Sequence, residues 1–250
     1  MYKYLMQSII TFLVLTIVYY FLRFKATEPK MEILWSIVYI IVLLIAMFFI
    51  NLEMTKRMCG TPQLGTTFIV TFTTWMFIFI ILLALIRLFP GWLSPFSNTF
   101  GYLFAKAGGL NKLMNKIMAP IDEGPKGDKA AARALQQIYG DNALVINQLT
   151  EENFQTFWEK MTNAGLFTSD APNYRTNLFK LIKLKNLVGE TLWAIFGGIL
   201  AIFISDSFIA NSTCKHSSKE MMQRHNQYEA KQLEEAEASG DGTTVYEQTN

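Results

Sequence analysis

Four long apolar blocks constrain this chain more than any other feature of its sequence. They run from about Leu5 to Leu22, from Ile33 to Ile50, from Thr66 to Ile86 and from Thr191 to Ala210. A helix needs about twenty mostly apolar residues to cross a hydrocarbon core about 30 Å thick. With 51% hydrophobic and 17% charged residues the chain is also too apolar for an ordinary soluble domain. The sequence therefore predicts an all-α membrane protein with four transmembrane helices.

Composition and motifs exclude several other classes of protein. The formal net charge is only +2 and no dense run of Lys and Arg is present, which argues against specific nucleic-acid binding. The two cysteines and two histidines do not form a cluster with metal-ligand spacing. Neither a phosphate-binding glycine loop nor a protease or hydrolase signature occurs. We expect no enzyme activity, no catalytic residues, no cofactor and no metal.

The spacing of the spans predicts the organisation of the chain. Residues 1–86 form a membrane region with spans one to three, residues 87–118 an interfacial aromatic segment, residues 119–190 a small helical domain outside the membrane, residues 191–210 span four, and residues 211–250 a charged helix followed by a tail of disordered composition. The face that carries the domain has nine Lys and Arg residues near the spans, against six on the other face. The positive-inside rule therefore places residues 87–190 in the cytoplasm.

The segment after span three combines two prolines with a row of aromatic side chains. Pro90 and Pro95 prevent a regular helix from continuing. The predicted membrane-interface residues are Arg87, Trp92, Phe96, Phe100, Tyr102 and Phe104. Apolar residues at near-helical spacing then continue to Ile117 beside three lysines, which is typical of a helix lying in the interface. A re-entrant loop is the alternative, and it requires surrounding protein or water to satisfy its backbone.

The predicted domain contains an aromatic helix face and a basic helix. Phe154 and Trp158 belong to a face with i, i+3, i+4 and i+7 spacing, which fits either a core of short helices or an exposed binding groove. Residues 175–190 form a basic amphipathic helix suited to a surface of anionic lipid. The candidate partner-contact residues are Lys112, Phe154, Trp158, Lys180 and Lys183.

Two acidic residues bound the fourth span. Only fifteen residues separate Glu190 from Asp206, about 22 Å of helix, which is less than the hydrocarbon thickness. One carboxylate must therefore approach the bilayer, and both are candidate intramembrane polar residues. They are either functional or brought to the interface by tilt. The threonines of span three are compatible with helix packing and do not require a pore.

The two cysteines flank spans on the same predicted face. Cys59 follows span two and Cys214 follows span four. A disulfide between them is geometrically possible, and two free thiols are the alternative.

One run of residues carries a family resemblance. The sequence FPGWLSPFSNTFGY at residues 89–102, preceded by span three and by MCGT at residues 58–61, resembles a segment of membrane-embedded virion proteins from large icosahedral DNA viruses of algae and amoebae. The resemblance covers roughly residues 50–115. It implies a minor capsid protein that anchors the internal membrane of the particle to its shell, with residues 87–190 facing the capsid and with lipid, capsid proteins and further copies of itself as partners.

Two other functions remain open at this stage. A viroporin-like pore or transporter requires Asp206, Glu190 and the span-three threonines to line one wet path. A membrane-remodelling factor requires the aromatic and basic helices to thin or bend lipid.

Overall fold

The computed structural model describes residues 2–26, 28–119, 142–214 and 218–239. The bundle is built from α1 (Tyr2–Lys25), α2 (Pro29–Cys59), α3 (Leu64–Thr74), a π-helical turn (Trp75–Ile80) and α4 (Ile81–Leu88). A 3₁₀ turn (Pro90–Leu93), α5 (Ser94–Phe96), a second π-helical turn (Ser97–Gly101), α6 (Tyr102–Ala107) and α7 (Leu110–Ile117) follow. The remaining elements are α8 (Asn142–Asn147), α9 (Phe154–Asn163), a 3₁₀ turn (Ala171–Tyr174), α10 (Arg175–Ala210) and α11 (Ser218–Ser239).

The prediction of an all-α chain with four helices fit to cross a membrane is confirmed. The four stretches that are long and apolar enough are Lys3–Lys25, Lys30–Cys59, Leu64–Leu88 and Ala171–Ala210. Each is longer than the apolar block that predicted it. Apart from Pro29 at the first position of α2, the residues by which α1 to α4 and α10 extend beyond the blocks include no proline, so the helices continue through them. Gly60 in the left-handed region, at φ 72°, ends α2.

The four long helices pack around an aromatic centre. Phe12, Trp75 and Phe79 are almost completely buried, and their ring centroids lie 5.0–5.8 Å apart. Gly198 of α10 faces Phe12 so closely that an added Cβ would lie 2.0 Å from the ring. The outer faces of the same helices expose large apolar side chains such as Ile17 and Phe77. The bundle is therefore apolar on its outer surface as well as in its core, and a lipid environment accommodates such a surface.

The second core belongs to the small helical domain. Its buried residues include Leu110, Met114, Ile117, Ile146, Phe154, Trp158, Leu178 and Ile182. The sequence favoured a core role for the aromatic face of α9, and the structure places Phe154 and Trp158 there, 4% and 8% exposed. The expectation for α7 needs correction. Its apolar face packs into the domain core and does not lie on lipid.

Helix α10 runs through both cores without interruption. It is 36 residues long, and it supplies Leu178 and Ile182 to the domain core and Ala201 and Ile202 to the bundle core. The predicted boundary at residue 190 therefore falls inside one helix. The basic helix at residues 175–190 is also not a surface helix lying on lipid, because one of its faces is buried by the domain.

The proline and aromatic segment runs antiparallel to α10 in very close contact. An added Cβ on Gly101 would lie 2.1 Å from the carbonyl oxygen of Lys185, and one on Gly189 would lie 2.9 Å from Ser97. Ser97, Gly101 and Ala105 recur every four residues and are all buried. They form a small-residue stripe, which lets two helix backbones approach closely. We call this contact the glycine seam.

The start of the segment lies beside the first turns of the predicted fourth span. Trp92 and Phe96 contact Trp193, with centroid separations of 6.4 and 5.8 Å, and Phe96 also contacts Phe196. From there the segment follows α10 toward the domain. The segment therefore packs on α10 as several short helices. Its position relative to lipid, interfacial or re-entrant, stays a prediction.

The far end of the bundle is closed by a disulfide. Cys59 and Cys214 are bonded, with their Cα atoms 5.4 Å apart. Of the two alternatives for the cysteines, the structure therefore has the disulfide. Helix α11 begins beside it, and Arg224 donates a hydrogen bond to the Cys59 carbonyl at 3.2 Å. The tail predicted to be disordered lies outside the described residues, as do residues 120–141 of the predicted domain.

Adding one methyl group to the glycine seam should destabilise the protein. Alanine is the better helix former by about 1 kcal/mol, so Gly101→Ala would stabilise an unobstructed helix. Here the methyl group meets a backbone carbonyl, and we expect a net loss of about 1–3 kcal/mol. Thermal unfolding in detergent, followed by Trp fluorescence, measures the change.

Gly91→Ala is the matched control. Gly91 lies in the same segment and has no atom within 4 Å of an added Cβ. Its substitution should leave the unfolding temperature unchanged. A Gly101→Ala protein at least as stable as the parent would contradict the close approach.

Candidate functional site: a charged joint between bundle and domain

A buried ion pair lies where the bundle meets the domain. Arg23, near the end of α1, is 5% exposed, and Glu190 of α10 is 8% exposed. The Arg23 guanidinium donates two hydrogen bonds to the two carboxylate oxygens of Glu190. Such fork-to-fork geometry is the strongest form of Arg–carboxylate contact. Because both side chains are almost fully excluded from water, each charge is stabilised mainly by the opposite charge.

A second pair connects the first turn of α2 to α10. The Lys183 Nζ atom lies 2.6 Å from Glu32 Oε1 and donates to the Ala26 carbonyl at 2.9 Å. Glu32 also accepts from Arg23 Nε at 3.4 Å. The two pairs therefore form one network that connects α1, α2 and α10. We call this network the charged joint.

Two further side chains complete the charged joint. Tyr20 donates its hydroxyl to the backbone carbonyl of Glu190 at 3.2 Å. The Arg87 guanidinium, at the end of α4, lies 3.7 Å from Glu190 and is itself 61% exposed. Every one of the four long helices thus contributes a group. The joint contains three cationic side chains and two carboxylates, so it retains a positive charge.

A polar cavity of about 280 Å³ adjoins the charged joint on the domain side. Lys185 is 1% exposed and donates to Asn98 Oδ1 at 3.2 Å and to the Ile146 carbonyl at 3.0 Å. It thereby connects α10 with the aromatic segment and with α8. Glu151 lines the same cavity, and burial raises the pKa of its carboxyl group. The cavity is bounded by both halves of the protein.

A second polar cluster lies near the opposite end of the bundle. Asn51 donates to Thr71 and to Ser205, both at 2.9 Å. Thr55 and Thr67 hydroxyls are 3.2 Å apart. The span-three threonines therefore bond to neighbouring helices, as their packing interpretation predicts. This cluster cross-links α2, α3 and α10.

The two acidic candidates of span four have different surroundings. Glu190 is buried in the charged joint, whereas Asp206 is half-buried, four residues before the end of α10. Fifteen residues of helix separate them, about 22 Å, and the Phe12 ring packs on Gly198 between them. The structure does not bring the two carboxylates together.

The predicted interface residues lie along one segment but differ in exposure. Trp92, Phe100 and Phe104 are 51–57% exposed, and Arg87 is exposed as well. Phe96 and Tyr102 are half-buried, against Trp193 and against the domain core respectively.

The candidate partner-contact residues divide in the same way. Lys112 and Lys180 are exposed. Phe154 and Trp158 lie in the domain core, and Lys183 is 7% exposed and paired with Glu32. These three side chains act within the protein, which corrects their assignment as contacts to a partner.

Sequence reasoning missed most of the charged joint. The sequence places Arg23 only among the basic residues near the spans and Lys185 only in a basic helix, and it does not single out Glu32. One signal was available. Three charged residues beside apolar blocks, at Arg23, Glu32 and Glu190, are expected to pair with one another when no water is available.

Comparison with known proteins identifies no relative of this chain. No protein-family model, no curated protein and no solved structure matches the chain. Within the described residues, no group of three or more His, Cys, Asp and Glu side chains could hold a metal ion. The charged joint is suited to holding helices in register.

Neutralising one side of the buried ion pair should cost much of the stability of the protein. Glu190→Gln leaves the Arg23 charge buried beside a neutral amide, and we expect a loss of about 3 kcal/mol. Denaturant unfolding in detergent micelles measures this loss. Glu235→Gln is the control, because Glu235 and Lys231 form an exposed pair on α11 whose removal should change stability by less than about 1 kcal/mol. Equal effects of the two substitutions would show that Arg23 and Glu190 are not a buried pair in which each charge depends on the other.

Proposed function

We propose that this protein is a structural membrane protein of a virus particle, which anchors the internal membrane to the capsid shell during assembly. The observation that carries the scaffold role is the continuity of α10 through the bundle core and the domain core. The resemblance of residues 89–102 to virion membrane proteins supplies the viral setting. An anchor must hold a domain in fixed relation to a bilayer, and a continuous helix is suited to that task.

The contacts around α10 support an anchor that resists displacement. A helix of 36 residues is about 54 Å long, which exceeds the hydrocarbon thickness by more than 20 Å. The glycine seam and the charged joint brace this helix where it leaves the bundle. A pull on the domain would therefore load several helices of the bundle together.

The surface available to a shell protein is polar. Lys112, Lys160 and Lys180 are exposed on the domain, while the large aromatic side chains of α9 are used in its core. We propose that the domain meets capsid proteins through this polar surface. In this proposal the domain face is cytoplasmic during assembly on a host endomembrane and faces the capsid in the particle.

The arrangement of polar groups favours the anchor over a pore through one copy. Glu190 and the Asn51 cluster lie at opposite ends of the bundle, and the rings of Phe12, Trp75 and Phe79 pack between them. A path between these polar groups would have to displace that aromatic layer.

Cross-linking of intact particles tests the proposal. An amine-reactive cross-linker followed by mass spectrometry should connect Lys112 and Lys160 to shell proteins. Lys56, on the opposite face of the bundle, is exposed and serves as an internal control that should not reach the shell. Cross-links from Lys56 but not from the domain would reverse the proposed orientation. Cross-links only between copies of this protein, together with ion flux through reconstituted vesicles that Asp206→Asn abolishes, would favour the pore.

A further inference from the structure

A basic pocket lies where α1, α7 and α10 meet on the domain side of the bundle. Its volume is about 410 Å³, which lies within the usual range of small-molecule sites. Lys112 and Lys116 line it from α7, and Lys180 lines it from α10. We call it the lysine pocket.

Within the part of the chain that the structure describes, no acidic side chain compensates the positive charge of the lysine pocket. Its lining contains no Asp or Glu, and no carboxylate of a described residue lies within 4.0 Å of the three ammonium groups. Lys183, one helical turn from Lys180, is paired with Glu32. Lys116 lies over the Tyr174 ring at 5.5 Å, which positions its charge without neutralising it. Three like charges lining one pocket favour an anionic ligand.

Apart from Asn177 and Tyr174, the rest of the lysine pocket is lined by apolar residues and glycines, and exposed apolar side chains lie beside it. Phe24, Leu181 and Leu184 line it beside the lysines. Phe24 is one residue from the end of α1. Outside the pocket, Phe21 of the same helix is 58% exposed, and Phe104, four residues before Gly108 of the lining, is 57% exposed. An anionic group with apolar chains would match both parts of this surface, whereas a free anion would match only the lysines.

We propose that the lysine pocket binds one anionic phospholipid. Lys112, Lys116 and Lys180 hold the phosphate of its headgroup, and its acyl chains lie against Phe24 and the neighbouring apolar surface. Bound there, the lipid bridges α7 of the domain and α1 of the bundle. Anionic lipid would thereby strengthen the connection between the two halves. This inference does not rest on the proposed capsid contact, since a lipid at Lys112 and Lys180 would leave Lys160 of the exposed domain surface to a protein partner.

Native mass spectrometry of the full chain in detergent tests the proposal. The probes are dioctanoyl phosphatidic acid, dioctanoyl phosphatidylcholine and inorganic phosphate. We expect one tightly bound phosphatidic acid per chain and much weaker binding of the other two. Each lysine near an anionic headgroup contributes roughly a fivefold gain in affinity, so Lys112→Gln/Lys116→Gln/Lys180→Gln should bind phosphatidic acid about 100-fold more weakly.

Two further variants separate position and shape from total charge. Lys56→Gln/Lys160→Gln/Lys231→Gln removes the same charge from exposed lysines elsewhere and should bind within about twofold of the parent. Asn177→Trp fills the lysine pocket from its exposed edge without changing charge and should weaken binding.

Four outcomes would overturn the proposal. Phosphatidylcholine binding as tightly as phosphatidic acid would show that the lysines do not select the headgroup. Inorganic phosphate competing at the affinity of the lipid would identify a site for free phosphate. Equal losses in the two triple variants would reduce the effect to net charge. Unchanged binding by the triple pocket variant would place the lipid elsewhere.

Discussion

The close contact of the proline and aromatic segment with α10 is the constraint on which the rest of the structure depends. Ser97, Gly101 and Ala105 present almost no side-chain volume, so the segment lies directly on the α10 backbone at Lys185 and Gly189. Van der Waals packing of this kind is the main source of helix association where lipid removes the hydrophobic drive between helices. Because the segment leads straight into α6 and α7, this contact also fixes where the domain begins.

The charged joint gives that packing a unique register. A buried ion pair contributes little net stability, since desolvation offsets most of its Coulomb energy. Arg23 and Glu190 are separated by 167 residues, and a shift of α1 against α10 by one turn would separate their charges at large cost. The pair therefore excludes neighbouring arrangements that apolar packing alone would tolerate. Such a role in specifying register is the best-attested use of buried charges.

Helix α10 lines the lysine pocket as well as the charged joint. Lys183 and Lys185 point into the protein and find partners there, while Lys180 faces the pocket without one among the described residues. One basic helix thus supplies an internal ion pair, a buried lysine that donates hydrogen bonds, and a proposed lipid contact. At about 100° per residue, position 185 lies 140° around the axis from position 180, whereas positions 180 and 183 are only 60° apart. Helical geometry therefore separates Lys185 from Lys180, and Lys183 differs from Lys180 by its pairing with Glu32.

The parts of the fold that depend on composition were predictable from sequence, and the parts that depend on distant pairing were not. Apolar length gave the four spans, and the i, i+3, i+4 spacing of Phe154 and Trp158 gave the core face of α9. The unbroken α10 was obscured because its pattern changes from amphipathic to apolar near Glu190, beside Gly189, which contacts Ser97 and does not end the helix. Ser97, Gly101 and Ala105 were hidden among aromatic residues that suggested the interface. The pairing of Arg23 with Glu190 could not be predicted from sequence, because the two residues are 167 positions apart and meet only in the assembled bundle.

The distribution of distances between bundle and domain tests the central claim most directly. Glu28, beside the loop between α1 and α2, and Lys160 of α9 are both exposed, and the native cysteines are bonded to each other. Spin labels on Glu28→Cys and Lys160→Cys, measured by pulsed dipolar spectroscopy in lipid nanodiscs, should give one narrow distance distribution. A broad or bimodal distribution would show that the domain moves freely on the bundle and would contradict the account.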